Sequence, residues 1–274
     1  MNDPLQKYEN PPLIESVISV QFSPLQKYRN PHSGWFWKQF LGKEWTEIEV
    51  APTIPDQFEK FGPLRRWMPE GPTLQFHPGV QTDRTQYVRK DEERMLQVQN
   101  SRLIYNWRKR AGTYPTFDIL FSEFSSLLFS FKEFIAAAEL GEMQQNQWEL
   151  TYVNHIPKGD LWSDPGDWSQ LMPSFRPIVT DVSGQTFDAF NGEWHYDLDG
   201  DRGRLHINIR KARLVGSAEK ELLIVQQTAR GEIDDAKEWS LAAGLSRGRE
   251  AIDRSFASLF NKTVQDVSWR RQTS

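Results

Sequence analysis

The chain of 274 residues has no cysteine. That excludes disulfides, cysteine-held zinc, iron–sulfur clusters and thiol catalysis. It also lacks a long apolar run. The most apolar stretch, residues 117–138, is broken by Asp118, Ser122, Glu123, Ser125, Ser126, Lys132 and Glu133, so it is far from a membrane span. Met1 to Tyr8 shows no basic-then-apolar secretion pattern. The expectation is a cytoplasmic protein with no membrane partner. A basic surplus is missing as well: 33 Lys and Arg face 37 Asp and Glu, for a net charge of -4. Dedicated DNA-binding domains usually show the opposite balance. What the chain does have is large aromatics, 11 Trp and 17 Phe, enough to fill a sizeable core and to argue against disorder.

Periodicity organises the chain. Leu13–Phe22 is rich in β-branched residues and bounded by Pro11-Pro12 and Ser23-Pro24, which predicts a strand. Residues 33–40 predict a short helix capped by Ser33. Residues 51–72, with Pro52, Pro55, Pro63, Pro69 and Pro72, predict an ordered surface connection. Thr73–His77 predicts a short strand, and a polar stretch follows over 83–93. Met95–Gln99 and Leu103–Trp107 flank Asn100-Ser101, the signature of a hairpin. From Thr116 to Gly141, residues such as Leu120, Phe124, Leu127, Phe131 and Phe134 recur on one helical face, with Thr116 as N-cap. A similar order then recurs: a strand over 148–156, a short helix over 167–172 capped by Asp167, strands over 193–198, 204–210 and 222–226, and a helix over 240–260. An Asp199-Gly200 turn joins the first two of those three strands.

The fold class expected from this is α+β. Two similar β-α-β-β-β-α halves, 1–142 and 143–274, form one compact body of mainly antiparallel sheet. Two long helices pack on one face and leave the other open to a ligand or partner.

On that open face the period of two aligns Arg204, His206, Asn208 and Arg210, while Leu205, Ile207 and Ile209 turn to the core. Such a row can bind a carboxylate or phosphate, although many antiparallel sheets simply wet one face. Asn154 and His155 stand on a strand that could neighbour His206 and join the ligand-binding set. Trp107, Arg108, Lys109 and Arg110 form a basic, aromatic-bearing strand end that could contact single-stranded nucleic acid, a use the acidic balance disfavours. None of the five histidines stands in HExxH or HxH spacing, so no metal and no cofactor is expected. Asp197–Asp201 resembles a calcium loop, but Arg202 and Asn208 stand where such a loop needs Gly and Glu. No nucleophile elbow, phosphate loop or dinucleotide fingerprint is present. Gly244 and Gly248 suit close helix packing.

Four stretches carry a family resemblance: Tyr8-Glu-Asn-Pro-Pro-Leu-Ile-Glu15 with Val20-Gln-Phe22, Leu96–Gln99 with Asn106-Trp107-Arg108, Leu150-Thr-Tyr-Val-Asn-His155, and Trp239-Ser-Leu with Gly248-Arg-Glu250 and Phe256. Together they resemble a family scattered sporadically through bacteria and archaea, without established function. The resemblance implies a one-body family member and no particular activity. Many members carry His-Glu where this chain has Arg249-Glu250. A scattered distribution is shared by mobile defence and toxin–antitoxin genes.

The function expected from these features is non-enzymatic: a regulatory or accessory protein that binds a protein partner or a small anionic ligand. A hydrolase or nuclease-like effector is the alternative, signalled by His155 and His206 meeting in a pocket. A single-stranded nucleic-acid binder is the third possibility.

Overall fold

The structure, a computed structural model, describes residue 5 and residues 7–59, 61, 83–110, 114–178, 182–198, 200, 203–214, 220–234 and 240–272. In chain order the elements are β1 (Lys7–Tyr8), β2 (Leu13–Phe22), α1 (Pro31–Phe40), β3 (Trp45–Ala51), β4 (Arg84–Arg89), β5 (Arg94–Gln99), β6 (Arg102–Arg108), α2 (Phe117–Ala137), β7 (Gln145–Pro157), α3 (Trp168–Leu171), β8 (Asn191–Leu198), β9 (Gly203–Arg213), β10 (Glu221–Glu232), α4 (Leu241–Leu259) and β11 (Arg271–Gln272). Nine strands form one antiparallel sheet in the order β3-β4-β5-β6-β2-β7-β10-β9-β8. The short strands β1 and β11 pair separately. The fold is α+β, dominated by a large antiparallel sheet. No helix of the described residues is long and apolar enough to cross a membrane.

Strand alternation sorts side chains onto two sides of this sheet. Ile18 on β2 lies opposite Tyr105 on β6 and Leu150 on β7, and Val20 lies opposite Leu103 and Trp148. Leu205, Ile207 and Ile209 of β9 share that side through β10 and are buried. Helix α4 rests against it. A Cβ added at Gly244 or Gly248 would come within 2.3 or 2.7 Å of the Trp148 indole, so only glycine lets the helix approach so closely. Helix α2 reaches the same side at Glu123, which Tyr105 Oη and the Arg94 guanidinium both engage. Its rings Phe131 and Phe134 pack on Phe36 of α1. The Thr116 hydroxyl accepts from the Ile119 amide as the N-cap, and Gly141 takes φ +106° just beyond the helix.

Several expectations need correction. Helix α1 starts at Pro31, so Ser33 lies inside it and instead bonds Tyr28 and Thr85 through its hydroxyl. Asp167 stands at the N-cap of α3 as expected but makes no side-chain cap bond to it; its carboxylate instead accepts from the Asp164 amide in a box with Asp164, which caps the 3-10 turn Pro165–Asp167. The polar stretch over 83–93 contains strand β4, and Trp45–Ala51, not among the expected strands, forms an edge strand whose residues 46–50 are exposed although Glu47-Ile48-Glu49-Val50 alternates. Thr73–His77, Asp199 and the connection beyond Phe61 lie outside the described residues, while Gly200 has φ +70° as a turn requires.

Candidate functional site

The sheet side opposite α4 is polar. The row Arg204, His206, Asn208 and Arg210 lies along it on β9, and residues 52–59 cross it from β3. The Ile54 amide donates to Gln99 Oε1, the Gln57 amide donates to Gln21 Oε1, and Ser101 Oγ donates to Asp56. At the far end of this crossing Glu59 plants its carboxylate in the row. Arg204 Nη1 donates to it at 2.8 Å, His206 Nε2 lies at 2.7 Å and Arg230 Nη1 at 3.3 Å. Arg204 also reaches Asp197 at 3.0 Å, and Arg230 reaches Glu149 at 2.6 Å. Burial pushes the Glu59 carboxyl up, but His206, Arg230 and Arg204 outweigh it and hold it below its usual value. Two members of the row, Arg204 and His206, thus hold a carboxylate of the chain itself, while Arg210 donates to Asn208 Oδ1 at 3.3 Å.

The other expected site residues separate. His206 stands in register with Thr228 on β10 and, beyond it, Thr151 on β7. His155 is four residues further along β7, about 13 Å at the rise of a strand. Instead His155 and Arg210 flank Ile224, and burial together with Arg210 lowers the His155 pKa. Asn154, its neighbour, faces the opposite side of the sheet. Trp107 is wholly buried with its ring against Tyr114 and presents no face to a base. Arg108 pairs with Glu15 at 3.4 Å, Arg110 lies 3.9 Å from Glu92, and the Lys109 amide donates to Ile14. The stacking platform that a nucleic-acid interface would need is therefore not assembled at this strand end.

On the Asn154 side of the sheet there is a cavity of about 340 Å³. Strand β1, the chain before β2, the start of α2, strand β7 and helix α4 each contribute to its wall. Leu13, Phe117 and Phe256 supply apolar surface, and Tyr114, Tyr152, Asn154, Arg249 and Asp253 supply polar groups. Arg249 and Asp253 are one helical turn apart on α4, with Nε 3.5 Å from Oδ2. Arg249 also reaches Asp118 at 3.2 Å and lies over the Phe117 ring at 5.0 Å. Burial lifts the Asp253 carboxyl to about 6 against the pull of Arg249. Tyr114 Oη donates to Tyr152 Oη at 3.3 Å, and burial pushes the Tyr114 hydroxyl up to about 12. Asn154 Nδ2 is turned to the Val225 carbonyl at 3.4 Å, which leaves its oxygen as the acceptor for the cavity.

No protein-family model matches the chain, and no curated protein does either. The geometry therefore carries the functional argument. A second, larger hollow of about 1040 Å³ lies beside β8 and β9, with Phe175, Phe187, Phe190 and Trp194 in its wall. Its wall is mainly apolar, with Arg176, Gln185 and Asp188 among the polar residues that line it.

Sequence reasoning reached Asn154 and missed the rest of the cavity. Arg249 and Asp253 stand at helical i, i+4 spacing and could have been noticed as an ion pair. Nothing local joins them to Tyr114 or Tyr152.

Proposed function

We propose that this protein is a non-enzymatic binding protein whose ligand is a small organic carboxylate of amino-acid size, held in the cavity between α2, α4 and β7. The carrying observation is the convergence of Arg249, Asp253, the Tyr114–Tyr152 pair and Asn154 on one apolar-walled space of about 340 Å³. Ligand sites combine apolar walls with a few converging polar groups in this way, and volumes start near 300 Å³. A carboxyl with a raised pKa beside a specific cation marks such sites. Arg249 has donors left beyond those turned to Asp118 and Asp253, and a guanidinium grips a carboxylate through paired N–H bonds. Asp253 and the Asn154 oxygen accept from a donor on the same ligand.

The binding reading is preferred to a hydrolase because His155 and His206 stand apart. It also places Asn154 in the ligand site and gives Arg204 and His206 to Glu59. The two parts of the chain are further inferred to repeat one β-α-β-β-β-α unit, with both long helices on one face. The neighbour order β4-β5-β6-β2 and the order β8-β9-β10-β7 support this, each running from an outer strand to the central β2–β7 pair. The cavity then lies where the two units meet.

The test is a thermal-shift screen of the full chain against amino acids and hydroxy acids, followed by titration calorimetry of each hit. Arg249→Gln should weaken binding about 10- to 100-fold, the worth of a charge-assisted hydrogen bond, while Arg210→Gln should leave it unchanged. Hits that bind Arg249→Gln as well as they bind the natural chain would refute the assignment.

A further inference from the structure

The β8–β9 hairpin brings together three groups that the sequence keeps apart. His195 and His206 are direct cross-strand partners, with their Nδ1 atoms 2.7 Å apart. Glu193, two residues before His195, lies on the same face of β8. One ligand atom from each of the three falls within 4.8 Å of the others. We propose that Glu193, His195 and His206 bind a divalent transition-metal ion of the zinc class.

The arrangement around His206 supports this. Glu59 Oε1 sits 2.7 Å from His206 Nε2, and Glu59 is also held by Arg204 and Arg230. An ionised carboxylate can only accept, so His206 carries its proton on Nε2 and turns the lone pair of Nδ1 toward His195. A carboxylate on the far nitrogen of a histidine is the usual outer support of a metal ligand, fixing both tautomer and ring orientation. That carboxylate is well anchored: the Glu59 side chain is 5% exposed.

Without a metal, the two facing Nδ1 atoms must share a proton supplied by His195. When an ion binds, His195 takes its other neutral tautomer, the proton passing from Nδ1 to Nε2 by way of solvent, so that both Nδ1 atoms donate lone pairs to the cation. Metal–nitrogen bonds of about 2.0–2.1 Å at a tetrahedral angle need the two nitrogens about 3.3 Å apart. Rotation of the rings by some tenths of an ångström each supplies the difference. Glu193, exposed at the sheet edge, gives the third ligand, and solvent can take a fourth position. Imidazole nitrogens favour zinc, copper or nickel over calcium or magnesium. The site lies on the opposite side of the sheet from the carboxylate cavity, so either can fail without the other.

The full chain, stripped with chelator, is titrated with Co²⁺ and followed by its visible ligand-field absorption, with Zn²⁺ as competitor. One Co²⁺ per chain is expected, displaced by Zn²⁺. His195→Gln and His206→Ala should each weaken binding more than about 100-fold, and Glu59→Gln about 10- to 100-fold, as loss of an outer support does. His32→Gln, remote from the hairpin, should change nothing. His195→Gln at the sheet edge keeps the experiment decisive if His206→Ala unfolds. Absence of saturable binding, or equal affinity in His195→Gln, overturns the proposal.

Discussion

Asp253 shows what a single side chain contributes. Its carboxyl stands at about 6 in the folded chain against an ordinary 3.8, with burial as the main cause. The folded state therefore binds more protons than the unfolded state between about pH 4 and 6, and stability falls as pH rises through that window. Above pH 6 the cost is fully present, at about 3 kcal/mol for two units of pKa. Asp253→Asn removes the charge and keeps the shape. Urea denaturation at pH 7 should find the variant about 1–3 kcal/mol more stable than the natural chain, with the gap closing below pH 4. A gap that stays constant with pH would show that Asp253 is not paying for burial. Such a cost, retained in a cavity wall beside Arg249, fits a group kept for binding. None of this was legible in the sequence, where Asp253 is one acid on the polar flank of an amphipathic helix. The row on β9 was legible, because period two alone aligns it. Its occupant was not, because Glu59 comes from a proline-rich segment 145 residues before Arg204.

At the scale of elements, the contact of α4 with β7 depends on two absent side chains. A Cβ at Gly248 would lie 2.7 Å from Trp148 and 3.2 Å from Ala229 Cβ. Overpacking of this kind costs about 1–3 kcal/mol, which outweighs the gain of about 1 kcal/mol that alanine brings to a helix interior. Gly248→Ala should therefore lower the urea midpoint, and Gly244→Ala, at 2.3 Å from the indole, should lower it further. An unchanged or raised midpoint in both would mean that the helix does not sit on Trp148. The elements with a strong apolar period, β2, the β5–β6 hairpin, α2, β7 and α4, could be found from sequence because each turns an apolar face or stripe to the core, even where, as in β5 and β6, the polar residues of the other face are buried too. Strands β3 and β4 were missed, although Glu47-Ile48-Glu49-Val50 in β3 alternates. The first has its middle exposed at the sheet edge, and the second places Arg84 and Gln86 on the polar side, where both reach Gln97.

Over the whole molecule, one sheet divides two kinds of chemistry. Its polar side is crossed by residues 52–59 and carries the histidine pair of the β8–β9 hairpin. Its apolar side carries the helices and the cavity. That a two-sided sheet would form was readable from alternation. Where the cavity lies was not, because its lining comes from residues 7–13, 114–117, 152–154, 249–256 and 272, which meet only after folding. The most direct measurement is a crystal of the full chain soaked with a mixture of small carboxylic acids and amino acids. Electron density for a bound carboxylate should appear against Arg249, with its donor group facing Asp253 or Asn154. An empty cavity, with carboxylates found only beside Arg210 and His155 on the polar side, would contradict the assignment.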